Sequence, residues 1–478
     1  MKRKNNKYIV PLGLALSLAV AGCTSVKPLQ RPEAVALPAA FPGQSDTATA
    51  LNLKQVFTDP YLQRLIDTAL LNNPDLQTAL QRVEGARANF LQTRGALRPS
   101  VQAMAAAGVD KYGDYTLNGV GNFDTNLSGN IEKDQKIPTP LTPDFFLGLR
   151  SSWEIDLWGK LRQQKSAAYH RLLASQQGVQ GVRTLLVSEV ATRYFELLAL
   201  DDELEVLRQN IHLQQRAVEV VEVQKLGGRA TELAVHQFKA QLLHTRGLET
   251  DFRQQIQAAE NELNLLLGRL PQRIQRSESI LKHELPQTLQ AGIPSALLLR
   301  RPDIRQAELE LKASEADVQA ARAAFLPSLT LTPYLGLNAF SAAQFFNPAS
   351  LAYGALGGLA GPVLNRTANK AHLSRSTAAS REAFYGYQKA ILSGYREVVT
   401  RLSELHNLQR KFTLKQEETE TLRAAVATAN DLYRGGYATY LEVISAQKGV
   451  VEAELELIAT RRGQLQALVD LYRALGGG

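Results

Sequence analysis

The chain of 478 residues holds one cysteine, Cys23, together with two methionines and two tryptophans. A lone cysteine excludes an intrachain disulfide framework and a cluster of thiolate metal ligands. Beyond the first 23 residues no uninterrupted apolar run reaches the roughly 18 residues that a spanning helix needs, so any membrane role falls to strands or to a lipid. GxSxG, HExxH and P-loop motifs are missing, and the seven histidines do not gather at metal-ligand spacing. No catalytic residue, metal site or cofactor is expected, and the chain does not read as an enzyme. No stretch interleaves basic and aromatic residues as nucleic-acid binding requires, so nucleic acid is not an expected partner. Proline is absent from 144–270 and again from 363–478.

What is present begins with a targeting segment over residues 1–22. Lys2, Arg3, Lys4 and Lys7 form a positive n-region, Ile9 to Ala21 an apolar core, and Val20-Ala21-Gly22-Cys23 a short small-residue box. That box resembles the bacterial lipoprotein cleavage site. The resemblance implies lipidation of Cys23 by diacylglycerol and an N-acyl chain, and Thr24 in place of an aspartate implies sorting to the outer membrane. The four n-region charges account for half of the net charge of +8.

The remainder compares well with itself. GGRATELAV (227–235) and GGYATYLEV (435–443) agree at six of nine positions, as do EVATRYFEL (189–197) and EVVTRLSEL (397–405), all at an offset of 208. Upstream the offset is 228: Pro74-Asp75 pairs with Pro302-Asp303, and Pro99-Ser100 with Pro327-Ser328. The change of 20 falls in a Gly-, Asn-, Asp- and Thr-rich stretch after Ser100, which reads as an enlarged surface loop. The second copy has a shorter counterpart near Ser341–Ser350. The organisation expected is a signal peptide (1–22), a lipid-anchored N-terminal segment (23–58), a first repeat (59–270), a connector (271–300) and a second repeat (301–478).

Each proline-free tract is helix-permissive, because proline costs about 3 kcal/mol in a helix interior. Residues 160–226 and 366–434 would each make a helix of roughly 100 Å at 1.5 Å per residue. Gly227-Gly228 and Gly435-Gly436 would stop them, and Thr231 and Thr439 would cap return helices reaching about Leu267 and Leu475. Pro74 and Pro302 suit the first position of a helix. Phe145, Leu147, Leu149, Trp153, Ile155 and Leu157 alternate with polar residues, as do Leu329, Leu331, Leu335 and Leu337. Period two with one apolar face suits a membrane barrel strand. Weaker partners run from Val101 to about Asp110 and from Ala352 to Val363. Four strands cannot close a barrel alone, so spanning requires oligomerisation.

WEIDLWGKLR (153–162), GIPSALLLRRPDIRQAE (292–308), ARAAFLPSLTLT (321–332) and the two Gly-pair turns, in this order and spacing, resemble the TolC-like outer-membrane factor family. The match is to its OprM- or NodT-type lipoprotein branch. The resemblance implies an α+β membrane protein: a homotrimer with a 12-stranded β-barrel, four strands per chain, continued by a long α-helical periplasmic barrel. It implies an efflux duct in the Gram-negative outer membrane, working with a periplasmic adaptor (a membrane fusion protein) and an inner-membrane RND-type pump. A type I protein-secretion duct is the alternative. The family's periplasmic gate maps onto the hairpin tips, where Glu442 matches an acidic ring position. The next ring position is Ser445, the first-copy equivalent of Glu442 is Ala234, and Tyr433 matches an aromatic that holds the tip closed.

Overall fold

The computed structural model describes residue 38 and residues 57–283, 285, 295–362 and 366–477. Cys23, the targeting segment and most of the N-terminal segment lie outside the described residues. The element order runs nearly twice. A short helix α1 (Pro60–Asn72) precedes α2 (Pro74–Gly95), β1 (Ser100–Asp110), α3 (Leu117–Leu127), β2 (Thr142–Ile155), α4 (Lys160–Leu226) and α5 (Glu232–Leu266). After the connector come α6 (Pro302–Ala323), β3 (Ser328–Ala339), β4 (Leu351–Ala360), α7 (Thr367–Gly435) and α8 (Tyr440–Ala474). Helices α2 and α6 have 22 residues each, α5 and α8 have 35 each, and α4 and α7 have 67 and 69.

Two compact units cut across the sequence copies. One holds 91–168 and 313–382; the other holds 57–90, 169–312 and 383–477 among the described residues. Each copy therefore contributes to both units.

The first unit carries one antiparallel sheet in the order β1-β2-β3-β4. Its register places Val101, Ala103, Ala105, Ala107 and Val109 beside Phe145, Leu147 and Leu149 on one face. Leu329, Leu331, Leu335 and Leu337 extend that face, and Leu351, Tyr353 and Leu359 complete it. Most of its large side chains are exposed. The opposite face carries Gln102, Arg150, Glu154, Thr330, Thr332, Tyr334 and Asn338. No described helix is long and apolar enough to cross a membrane.

Strand β2 ends at Ile155, two residues before the expected limit at Leu157, because Asp156 turns to the next helix. Its carboxylate accepts from the N–H of Leu161 (3.1 Å) and of Arg162 (2.9 Å), satisfying orphan donors of the first turn of α4. Trp153 Nε1 donates to Leu97 O at 3.2 Å and Trp158 Nε1 to Pro327 O at 2.7 Å, which ties this corner to both neighbouring chain segments. Strand β4 ends at Ala360 instead of Val363.

The enlarged surface loop expected between β1 and β2 contains a helix that its composition does not announce, α3 over residues 117–127. Thr116 Oγ1 accepts from Gly119 N (3.1 Å) as an N-cap, and Asn126 pairs with both backbone groups of Ile137 at 2.8 Å. These local bonds outweigh the poor helix propensity of two glycines and three asparagines.

The second unit is a helical core around Tyr194, Leu197, Leu198, Leu263, Val469 and Leu471, all within 1 % of full burial, against which α1 packs Leu62, Ile66 and Ala69. The two copies close their return helices alike. Asn73 Nδ2 donates to Leu266 O at 2.9 Å, and Arg301 Nη1 donates to Ala474 O at 2.5 Å. Positions 73 and 301, like 266 and 474, are equivalent under the sequence offsets. In each case the residue before the helix-starting proline satisfies a carbonyl that the helix end leaves unpaired.

Candidate functional site at the hairpin tips

Helices α4 and α7 end in the same backbone closure. Arg229 N donates to Gln224 O (2.8 Å) and Gly228 N to Lys225 O (2.9 Å); Tyr437 N donates to Leu432 O (2.9 Å) and Gly436 N to Tyr433 O (3.1 Å). This 6→1 and 5→2 pair needs a left-handed residue at its second glycine. Gly228 has φ 72° and Gly436 φ 81°, whereas Gly227 and Gly435 keep negative φ. The pair is thus one obligatory glycine and one that is not conformationally required.

Both threonines cap the helices that follow. Thr231 Oγ1 accepts from Ala234 N at 3.2 Å. At the second tip Glu442 reaches back to the capping residue: Thr439 N and Thr439 Oγ1 both donate to Glu442 Oε2, at 2.5 and 3.1 Å. Glu442 therefore has a local task, satisfying an orphan donor at the N-terminus of α8, where a negative charge also complements the helix dipole.

Ala234 cannot be acidic without cost. It is 1 % exposed and sits in a cluster with Val218, Val221, Val235, Phe238 and Leu242, onto which Tyr440 and Ile444 of the other hairpin pack. Placing a carboxylate there would bury it without a partner. Glu442 and Ser445 are exposed on the chain. Tyr433, half-buried, donates its hydroxyl to Gln224 Oε1 at 2.6 Å and so links α7 to α4 one turn above the glycines. The rings of Phe238 and Tyr440 lie 6.5 Å apart. Lys239 pairs with Glu222 at 2.6 Å, and Lys225 pairs with Glu232 across the first turn.

A second arrangement escapes reading from sequence because its parts lie far apart along the chain. Buried Asp59 accepts from Tyr61 N (2.8 Å) and from the hydroxyls of Tyr194 and Ser277. Arg276 bridges Asp201 and Glu260, and Asp202 accepts from Ser279 Oγ (2.7 Å) and Ile280 N (3.0 Å). The connector is thereby pinned to the middle of α4. Burial, then the bond to Asp59, holds the Tyr194 hydroxyl well above its ordinary range. Burial raises Asp202, and it raises the neighbouring Glu203 to about 7 against the opposing field of Arg462. The Asp59-Pro60 pair, an N-cap followed by proline, is the one local signal of this arrangement. Among the described residues no group of His, Cys, Asp and Glu is arranged to hold a metal ion.

Comparison with known proteins follows the same two-copy frame. The family model described as "Outer membrane efflux protein" matches residues 65–269 and again 293–477. The pyoverdine export outer membrane protein OpmQ of Pseudomonas putida is 32% identical over 97% of this chain and 96% of its own length. The probable outer membrane lipoprotein SilC of Salmonella typhimurium is 30% identical over 98% of both. A crystal structure of CusC, solved to follow folding and transmembrane channel formation, superposes with a TM-score of 0.80 at 28% identity, covering 95% of this chain and 100% of that one.

Proposed function

The chain belongs to the outer membrane efflux protein family, and from that premise we propose a trimeric exit duct whose sheets close into one 12-stranded barrel. It is the outer-membrane component of an efflux system. The observation that carries the trimeric reading is the register of the sheet. Four strands present one mainly apolar face and one mainly polar face, yet β1 and β4 each have only one neighbour among the described residues. An open edge in lipid leaves N–H and C=O groups unsatisfied at several kcal/mol each. Pairing β4 of one copy with β1 of the next removes both edges and puts the leucine face toward lipid and the Arg150 face toward a lumen.

In this reading the helical hairpins form the periplasmic part of the duct, and their tips are its gate. Diacylglycerol and an acyl chain on Cys23 add a second hold on the membrane, in keeping with a relative named as a lipoprotein. A periplasmic adaptor and an inner-membrane RND-type pump deliver drugs or other toxic compounds to the tip, and passage outward is passive. Two measurements test this. Outer-membrane extracts should yield a heat-resistant trimer, and deletion of the gene should sensitise cells to at least one toxic compound. A monomer in mild detergent would overturn the barrel. Loss of a secreted protein with unchanged sensitivity across a broad panel would move the assignment to a type I secretion duct.

A further inference from the structure

On the polar face of the sheet one cross-strand row stands apart from its neighbours. Gln102 lies opposite Arg150, Arg150 opposite Tyr334, and Tyr334 opposite Gly354. The row one pleat nearer the β1–β2 loop is Met104, Gly148, Gly336 and Ala352. A layer with three large polar side chains therefore stands beside one whose two central residues are glycines.

The glycines shape the layer beside them. A Cβ added at Gly336 would stand 3.0 Å from Phe146 Cζ, and one added at Gly354 would stand 2.8 Å from Tyr334 Cε1. The two rings lie in the space that the glycines leave, with centroids 6.3 Å apart and an edge-to-face tilt of 66°. Arg150 folds across the glycine row, and its guanidinium sits 4.9 Å from the Phe146 ring centroid.

The charge balance of this face is simple. Its acidic residues are Asp110, Asp144 and Glu154. Asn338 donates to Asp144 at 2.7 Å, and Lys160 pairs with Glu154 at 2.5 Å. Arg150 is the one cation on this face of the four strands and is exposed, with its guanidinium against the Phe146 ring. A guanidinium carries a fixed charge, offers a planar fork of donors and keeps most of them available while its flat face rests on an aromatic ring.

We propose that Arg150, with Phe146 and Tyr334 beside it, is a lumenal binding ring for organic anions that carry an aromatic ring and a carboxylate or sulfonate group. It rests on the barrel reading above, in which three copies place three such guanidiniums in one layer. The guanidiniums take the acidic group, the exposed Tyr334 ring meets the apolar part, and buried Phe146 seats the guanidinium from beneath. The ring thus gives the duct a preference of its own at the barrel, distinct from the acidic position at the hairpin tip.

The test uses full-length trimers in planar lipid bilayers, with 1,3,6-naphthalenetrisulfonate added on the outer side as the probe. Wild-type current should be blocked in a dose-dependent way. Arg150→Gln should raise the half-blocking concentration by about tenfold, the scale of losing hydrogen bonds to a charged group. Arg150→Lys should recover only part of the block, since it keeps the charge and loses the fork. Equal block of wild type and Arg150→Gln, with both conducting, would overturn this proposal and leave the channel intact. A chain that stays monomeric in mild detergent and forms no channels would overturn the barrel reading on which it rests.

Discussion

Tyr433 holds Gln224 by a hydrogen bond of 2.6 Å, a contact between residues 209 positions apart that joins the ends of two different helical hairpins. Both residues precede the left-handed glycine of their own tip by a few positions. The bond is thus placed where a small separation of the hairpins would break it first.

Tyr433→Phe keeps the ring and removes the bond, worth about 1 kcal/mol per chain. The expected outcome is a several-fold rise in open probability or unitary conductance, read in single-channel recordings. Identical recordings for variant and wild type would show that the Tyr433 hydroxyl does not help to hold the tip closed.

Glu442 has two separable roles, a cap and a charge. Glu442→Gln retains a side-chain acceptor for Thr439 N and removes the charge, whereas Glu442→Ala removes both. Tip resistance to limited proteolysis should be near wild type in the Gln variant and reduced in the Ala variant, by a cap of about 1 kcal/mol. Cation preference should fall in both. Reversal potentials unchanged in Glu442→Gln would leave this residue as a cap alone.

The glycine pair makes unequal demands. Gly228→Ala places a Cβ at φ 72° and should cost about 1–2 kcal/mol. Gly227→Ala meets only Gln224 O at 3.6 Å and Val223 O at 3.8 Å, ordinary contacts, so it should be close to neutral. Thermal unfolding of the two variants checks the contrast; equal losses would argue against the left-handed closure.

Much of this frame is readable from residues alone, and the reason is local. Proline exclusion and a terminal glycine define α4 as 160–226, which is its observed extent, and place α7 within a residue of Thr367–Gly435. Period-two alternation finds β2 and β3 because their apolar residues are large; β1, with five alanines and glycines between Ala103 and Gly108, signals weakly. Helix α3 is hidden by glycine and asparagine, although Thr116 and the spacing of Leu117, Val120, Phe123 and Leu127 carry the sign of it. The Asp59–Tyr194–Ser277 contact has no local sign beyond the cap at Asp59, because its members are separated by 83 to 218 positions.

Glu203 makes stability depend on pH. Its folded value, raised to about 7 by burial, exceeds its ordinary value, so the folded state holds a proton that the unfolded chain releases earlier. Its contribution is complete below the ordinary carboxylate range and is lost as pH rises through about 7, amounting to about 3 kcal/mol at most. The unfolding midpoint should fall between about pH 4.5 and about pH 7 and then level off, and Glu203→Gln should flatten that dependence. A variant that follows the wild-type pH profile would assign the effect to another group.

Arg301 and Asn73 occupy equivalent positions with unequal consequences. Arg301→Ala leaves Asp303 without its guanidinium partner and weakens the hold on Glu397, which keeps Arg473 at 2.9 Å. The Arg301 guanidinium is buried but Asp303 is half exposed, so losing its bonds to the carboxylates and to Ala474 O should cost about 2–3 kcal/mol. Asn73→Ala removes a neutral cap to Leu76 N (2.9 Å) and a bond to Leu266 O, at about 1–2 kcal/mol. Denaturant unfolding should rank the two in that order; the reverse order would show that the Arg301 charge cluster contributes little.

The matching closures at Gly228 and Gly436 bear on the symmetry of the assembled duct. Three chains would present six loops nearly superposable in backbone, so a partner gripping main-chain atoms meets a pseudo-sixfold rim. Side chains break that rim to threefold, with Glu442 at alternate loops and buried Ala234 between them. A partner reading charge would find half as many equivalent footholds as one reading shape.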